Sequence, residues 1–298
     1  MPMARTTLTI GPVLFNWPAE RWRDFYFRIA DEAPVDHVCV GEVVCSRRQP
    51  FFAEAMPDVV ERLERSGKTI LLSSLALPTL ERELRYAAAL GQGSHIVEAN
   101  DVSTLTHLTH RPHAIGPFVN VYNEATAAFL AARGAKRIAL PPELPMASIS
   151  AITAAAPGTA IEVWAFGRVP LAISARCYHA RLNGRTKDSC QFVCEKDLDG
   201  LEVATLDYQK FLAINGVQTL SYTYCSLLKE AVELSQFGVA ALRLSPHTCD
   251  MVPVARLFRD VLDGRCEPED AVARLGAVCP DATFSNGFIQ GVAGALYV

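Results

Sequence analysis

Short apolar runs alternating with stretches of helical period constrain this chain more than any other feature. The runs Leu8–Val13, His37–Val40, Thr69–Leu75, His95–Glu98, Ile115–Val121, Arg137–Leu140 and Ile161–Phe166 read as buried strands. A strand covered on both faces carries a continuous apolar run rather than an alternating one. Between the first runs, Ala19–Glu32 sets Trp22, Phe25, Tyr26 and Ile29 on one stripe, and Phe52–Arg65 does the same with Met56, Val59, Val60 and Leu63. Thr79–Leu90, Ser103–His110, Glu124–Arg133 and Ser148–Ala155 continue the alternation. Gly67, Gly91, Gly134 and Gly158 follow these stretches, where a left-handed helix cap favours glycine.

The rhythm breaks after residue 173. A polar segment from Arg176 to Asp199 carries three cysteines, and two β-like pieces follow it, Leu201–Leu206 and Gly216–Tyr224. A helical stretch (Leu227–Phe237), a last strand (Val239–Leu244) and a further helix (Val254–Leu262) then resume the pattern. Eight β/α steps with right-handed crossovers predict a TIM-barrel-like (β/α) barrel. It forms a single domain over residues 1–298, with an insert at 174–226 after the seventh strand. An open doubly wound sheet is the alternative, but no glycine-rich nucleotide loop follows any strand.

A chain of 298 residues, half of them apolar, buries a full core without staples. Its net charge of −4 does not favour nucleic acid as a partner. The opening MPMARTTLTIGPVLFNW has neither the long apolar core nor the small-residue cleavage site of a secretory leader. Pro and Gly interrupt every apolar stretch that approaches membrane-spanning length, so no membrane span is expected and the location expected is cytoplasmic. Thiols stay reduced there, and the nine cysteines are therefore not read as a disulfide framework.

Cys177, Cys190 and Cys194 form a C-x12-C-x3-C run in a segment rich in Arg, Lys, Asp and Asn, where packing has little use for thiols. One helical turn would aim Cys190 and Cys194 the same way. Four thiolates suit an iron–sulfur cluster; three with a histidine would suit zinc, and incidental loop thiols are the bland reading. Barrel enzymes gather functional groups on loops after the strands, so a fourth ligand should follow a strand too. Cys45, beyond the second strand, and Cys249, beyond the last, both do, and spacing ranks Cys45 only slightly ahead. Cys39 lies within a strand as a small buried hydrophobe, and Cys225, Cys266 and Cys279 stand alone.

The motifs GPVLFNWP (11–18), GEVVCSRR (41–48), LLSSLAL (71–77), VNVYN (119–123), PPEL (141–144), IEV…PLAISARC (161–177), KDSCQFVC (187–194), NGVQTLS (215–221) and RLSP (243–246) run nearly the whole chain in order. Together they resemble the collagenase-like peptidase superfamily, and within it the UbiV-type proteins of oxygen-independent ubiquinone biosynthesis. The resemblance implies one 4Fe–4S cluster on Cys45, Cys177, Cys190 and Cys194, which settles the choice against Cys249. It further implies a heterodimer with a UbiU-type protein that hydroxylates ubiquinone precursors without dioxygen, prephenate being the proposed oxygen donor. UbiU-type proteins carry an additional cysteine where this chain has Pro170. The peptidase signature is altered here, and neither HExxH nor a nucleophile elbow takes its place, so proteolysis is not expected. Superfamily relatives that hydroxylate RNA bases offer an alternative class, and a non-catalytic scaffold with a structural cluster offers another.

Other residues invite weaker readings. His107, His110 and His113 make an HxxHxxH run, but Pro112 interrupts it and a solvated helix end is expected. Glu42, Glu98, Asn120, Asn123 and Glu143 fall at strand ends, as pocket lining or helix caps. Arg47, Arg48, Arg176 and Arg243 could pair with a dicarboxylate or make structural salt bridges. Trp17, Trp22, Phe51 and Phe52 read as core or interface packing.

Overall fold

In the computed structural model, which describes residues 5–298, the apolar runs become a ring of parallel strands. The reading of the first residues as lacking a leader bears partly on residues 1–4, which lie outside those described. Strands β1 (Thr7–Ile10), β2 (His37–Val40), β3 (Thr69–Ser73), β4 (Ile96–Ala99), β5 (His113–Ile115), β6 (Ala135–Ala139) and β7 (Ala160–Ile173) pair parallel in chain order. Strands β8 (Leu201–Ala204), β9 (Lys210–Asn215) and β10 (Gln218–Ser226) form an antiparallel excursion hung on the second half of β7. Then β11 (Ala241–Leu244) pairs parallel with both β7 and β1 and closes the ring, giving the expected TIM-barrel-like (β/α) barrel. A short β12 (Phe284–Ser285) lies beside β10.

Outside the ring run α1 (Ala19–Glu32), α2 (Gln49–Phe52), α3 (Met56–Arg65), α4 (Glu81–Gln92), α5 (Val102–Leu105), α6 (Glu124–Ala132), α7 (Met146–Ala155), α8 (Tyr178–Leu182), α9 (Ala231–Gln236), α10 (Met251–Leu262) and α11 (Pro268–Val278). On α1 the predicted stripe buries Trp22, Tyr26 and Ile29, and Trp22 stacks on Phe52 with centroids 4.8 Å apart. Full burial of side chains this size stabilises by about 1.5–3 kcal/mol each. No helix among the described residues is long and apolar enough to cross a membrane.

Several boundaries differ from the sequence reading, each for a local reason. Phe52–Arg65 divides in two because Pro50 and Pro57 each start a helix of their own. The fifth strand lies earlier than 115–121: Pro117 opens a 3-10 turn, and Asn120 then turns left-handed at φ 61°. Ser103–His110 shortens to the single turn of α5. His107 and His110 are exposed beyond it, but His113 is buried in β5 with its Nδ1 2.7 Å from the Arg111 carbonyl, so the solvated reading fails for that histidine. Gly91 is no cap; it lies inside α4, where an added Cβ would come within 3.0 Å of His107. Phe51 is 44% exposed rather than core, whereas Trp17, Trp22 and Phe52 are buried.

The interior of the ring is charged. Arg243 on β11 donates to Glu162 on β7 at 2.5 Å and pairs with Glu98 on β4. Glu162 also accepts from Thr9 at 2.7 Å and Arg137 at 2.6 Å, while the second Arg137 nitrogen donates to His37 at 2.8 Å. Glu98 further accepts from Ser73 at 2.7 Å and from the Cys39 thiol at 3.7 Å. Burial pushes the Glu162 carboxyl up, but Arg243 and Arg137 outweigh it and hold it down to about 2. Burial, helped by the Arg137 charge, pushes His37 down to about 4.

Both shifts favour the deprotonated group in the folded protein. Their stabilisation is complete above the ordinary values and is lost as pH falls, from 6.5 to about 4 for His37 and from 4.5 to about 2 for Glu162. Urea unfolding at stepped pH should show both losses. His37→Gln should flatten the upper one, and Glu162→Gln should cost about 3–5 kcal/mol at neutral pH, because it takes the carboxylate partner from the half-buried Arg137 and leaves the buried Arg243 with Glu98 alone. A Glu162→Gln variant as stable as the parent would contradict this account of the interior.

Candidate functional site

Gly41 leaves β2 at φ 137°, in a place where a Cβ would stand 2.7 Å from the Ser73 carbonyl oxygen. The buried Glu42 carboxylate then accepts from the backbone N–H groups of Val44 at 2.7 Å and Cys45 at 2.8 Å. That clamp sets Cys45 at the head of the 3-10 turn Ser46–Arg48. Burial pushes the Cys45 thiol up, against the lowering influence of Arg48.

Arg48 is 1% exposed and staples this loop to the excursion. It donates to the Leu14 carbonyl at 3.1 Å and to Asn215 Oδ1 at 2.6 Å, and the Asn215 amide donates onward to the carbonyls of Cys194 at 3.1 Å and Asp197 at 2.8 Å. Its guanidinium faces the Cys45 and Cys194 thiols. The next residue, Gly216, sits at φ 69° with Arg48 Nη2 only 2.4 Å from where a Cβ would be.

Cys177 begins α8, its buried Sγ accepting from Ala180 N–H at 3.4 Å. Burial raises this thiol, and the neighbouring Cys194 and Cys190 raise it further. The expected helical turn between Cys190 and Cys194 is absent. Gln191 and Phe192 are both left-handed, at φ 48° and 52°, and a 3-10 turn from Val193 to Lys196 follows. The reversal turns Phe192 onto Phe51, with centroids 4.6 Å apart, and under the Arg47 guanidinium at 5.6 Å.

Cys45, Cys177, Cys190 and Cys194 thus come from three segments into one neighbourhood around Arg48. Among the described residues no three His, Cys, Asp or Glu side chains converge tightly enough to hold a single metal ion. The buried Nε atoms of Arg47 and Arg48 have no hydrogen-bond partner among the described residues, which fits an anionic, sulfur-rich group among these thiols. Cys249 lies apart, against Cys279 and with its sulfur 3.9 Å from that of Met251. Cys39 is inside the barrel with Glu98, and Cys225 is buried beneath the Trp164 carbonyl.

The polar candidates divide. Glu98 and Arg243 are spent on each other inside the ring rather than facing a pocket. Arg48 is a structural staple, Arg47 donates to the Asp188 carbonyl at 3.1 Å, and Arg176 is exposed. Asn123 caps α6 by accepting from Thr126 N–H at 2.9 Å, and Glu143 accepts from the Tyr122 hydroxyl. Sequence reading missed Asn215 and Asp199. The latter accepts from Thr248 N–H at 2.9 Å and lies 3.4 Å from His247 Nδ1, tying the end of the cysteine segment to the loop after β11. An Asp in SPHTCD's reach carries no local signal; only the fold brings residues 199 and 248 together.

Comparison with known proteins places the sequence in a family. Residues 23–295 match the family described as Peptidase family U32. Among solved structures, a tryptophan synthase complex from Pyrococcus furiosus aligns at 10% identity with a TM-score of 0.41, covering 93% of this chain and 99% of that one. Two mutant tryptophan synthase alpha-subunits from the same organism align at 11% and 12% identity with TM-scores of 0.34 and 0.33, each over 93% of this chain and over 99% and 100% of theirs. Likeness at that level carries no weight beyond itself, and the barrel stands on its own strand pairing.

Gly216→Ala should cost about 1–3 kcal/mol, because alanine resists the left-handed backbone and its methyl collides with Arg48. Urea unfolding measures the cost, and limited proteolysis should show faster cleavage between residues 183 and 200. Unchanged stability and unchanged cleavage would mean that Arg48 does not staple the excursion.

Proposed function

The chain belongs to peptidase family U32, and from that premise we propose that it is an iron–sulfur subunit for oxygen-independent hydroxylation of ubiquinone precursors. The observation that carries the reading is the gathering of Cys45, Cys177, Cys190 and Cys194 around a buried guanidinium with an unpartnered Nε. The four thiolates hold one 4Fe–4S cluster, which supplies single-electron transfer when bound. Arg48 stands near the Cys45 and Cys194 thiols and offsets the negative charge of the thiolates. Glu42 fixes the loop that presents Cys45. Phe192 and Arg47 cover the cysteine segment on the side of Phe51.

The motif resemblance supports a UbiU-type partner and prephenate as oxygen donor. The acidic balance of the chain favours this reading over action on RNA bases. Neither reading assigns proteolysis to the chain.

Two outcomes are expected. Purified without air, the protein should be brown and carry iron and acid-labile sulfide in equal amounts. Cys45→Ala, Cys177→Ala, Cys190→Ala and Cys194→Ala should each lose them, while Cys249→Ala and Cys39→Ala keep them. Unfolding midpoints measured alongside separate ligand loss from misfolding. Wild-type iron in the first four variants, or stoichiometric zinc without sulfide in the parent, would defeat the assignment. Co-expressed with a UbiU-type protein, the chain should elute as a pair by gel filtration and hydroxylate a ubiquinone precursor anaerobically, and alone it should not. Equal turnover by the isolated chain would defeat the subunit reading.

A further inference from the structure

A cavity of about 270 Å³ opens on the C-terminal face of the barrel, between the loops after β3, β5 and β6 and the outer half of β7. That face is where barrel enzymes place their substrates. Leu77, Phe118, Pro142, Pro170, Leu171 and Ile173 supply apolar walls, and Leu77 and Leu171 stay 38% and 45% exposed. Three polar residues complete the lining: Asn120, Tyr122 and Glu143. The Tyr122 hydroxyl donates to Glu143. Burial and the Glu143 charge push Tyr122 up to about 12, so it keeps its proton and remains the donor. A carboxylate has about four acceptor positions, and Tyr122 occupies one. Asn120 makes no side-chain hydrogen bond among the described residues.

These features define what fits. A cavity of about 150 Å³ takes benzene, so this one takes a single ring with a substituent. Free acceptor positions on Glu143 select a hydroxyl donor on that ring. Among the described residues no Lys or Arg lines the cavity, and Glu143 repels anions, so a carboxylate such as the oxygen donor is not its occupant. Two short stretches of chain link the cavity to the segments that carry Cys45 and Cys177. Ala76 N–H donates to the Val43 carbonyl at 2.9 Å, two residues before Cys45, and Ile173 lies four residues before Cys177.

We propose that this cavity binds a one-ring phenol carrying an apolar substituent, with the hydroxyl on Glu143 and the ring between Phe118 and the prolines. That the phenol is the ring to be hydroxylated rests on the function proposed above; the binding site itself does not.

Calorimetric titration of the full chain with 4-butylphenol and butylbenzene tests the site. The phenol should bind at least ten-fold tighter, and Glu143→Gln should remove about ten-fold of that preference while keeping the parental unfolding midpoint. Leu171→Asp, a charge placed on the exposed wall, should weaken both ligands. Equal binding of phenol and hydrocarbon, no binding of the phenol, or a preference untouched in Glu143→Gln would overturn the proposal. Iron and sulfide measured on the same preparations separate the two readings. Phenol binding without a cluster keeps the cavity and removes the cluster, and a loaded chain that ignores the phenol removes the cavity alone.

Discussion

Arg243 on β11 holds Glu162 on the neighbouring β7 and reaches across the ring to Glu98 on β4. Barrel interiors are ordinarily filled by layers of branched apolar side chains. Here two carboxylates and two guanidinium groups share that space, their charges cancel, and Thr9, His37, Cys39 and Ser73 take up remaining hydrogen-bonding positions. A buried charge is tolerable only with its partners in place. A one-residue slip of any strand would turn its polar group out of the ring, so the network specifies register for β1–β4, β6, β7 and β11 together. Closure between β7 and β11 then presents the loops after the strands as a fixed set. Everything proposed for Cys45, Cys177 and the cavity depends on that set.

The barrel was legible because buried parallel strands leave continuous apolar runs, and α1 matches its predicted span of Ala19–Glu32 to the residue. What sequence could not show was which charged residues turn inward. Arg137 and Glu162 sit inside runs that read as apolar, and their mutual pairing spans 25 residues of chain. Proline misled in both directions: Pro50 and Pro57 divide one helix, and Pro117 ends β5 where a strand was expected to continue. α11 was missed altogether, since its stripe is weak and follows a helix already assigned.

In the candidate site the grouping of Cys177, Cys190 and Cys194 was visible as spacing, and the motif resemblance added Cys45. The conformation of the segment was not. Two successive left-handed residues, Gln191 and Phe192, replace the anticipated helical turn, and neither is a glycine that would have announced it. An arginine in GEVVCSRR suits a dicarboxylate equally well by sequence, yet the burial of Arg48 and its bond to Asn215 make it a staple. That role depends on Gly216, whose missing side chain is intelligible only beside Arg48.

The 14 residues of β7 serve two bodies at once. Its first half is barrel wall, paired with β6 and β11, and its second half carries β10 and through it the rest of the excursion. The bend between the halves falls at Gly167, and the His247 ring fills the space its absent side chain leaves, making a packed corner instead of a hinge. The cysteine-bearing excursion is therefore no cassette. Cutting it out and splicing the ends would strip the second half of β7 of its partner strand β10. Grafting it onto another barrel would require transplanting β7, its corner and the histidine behind it as one piece.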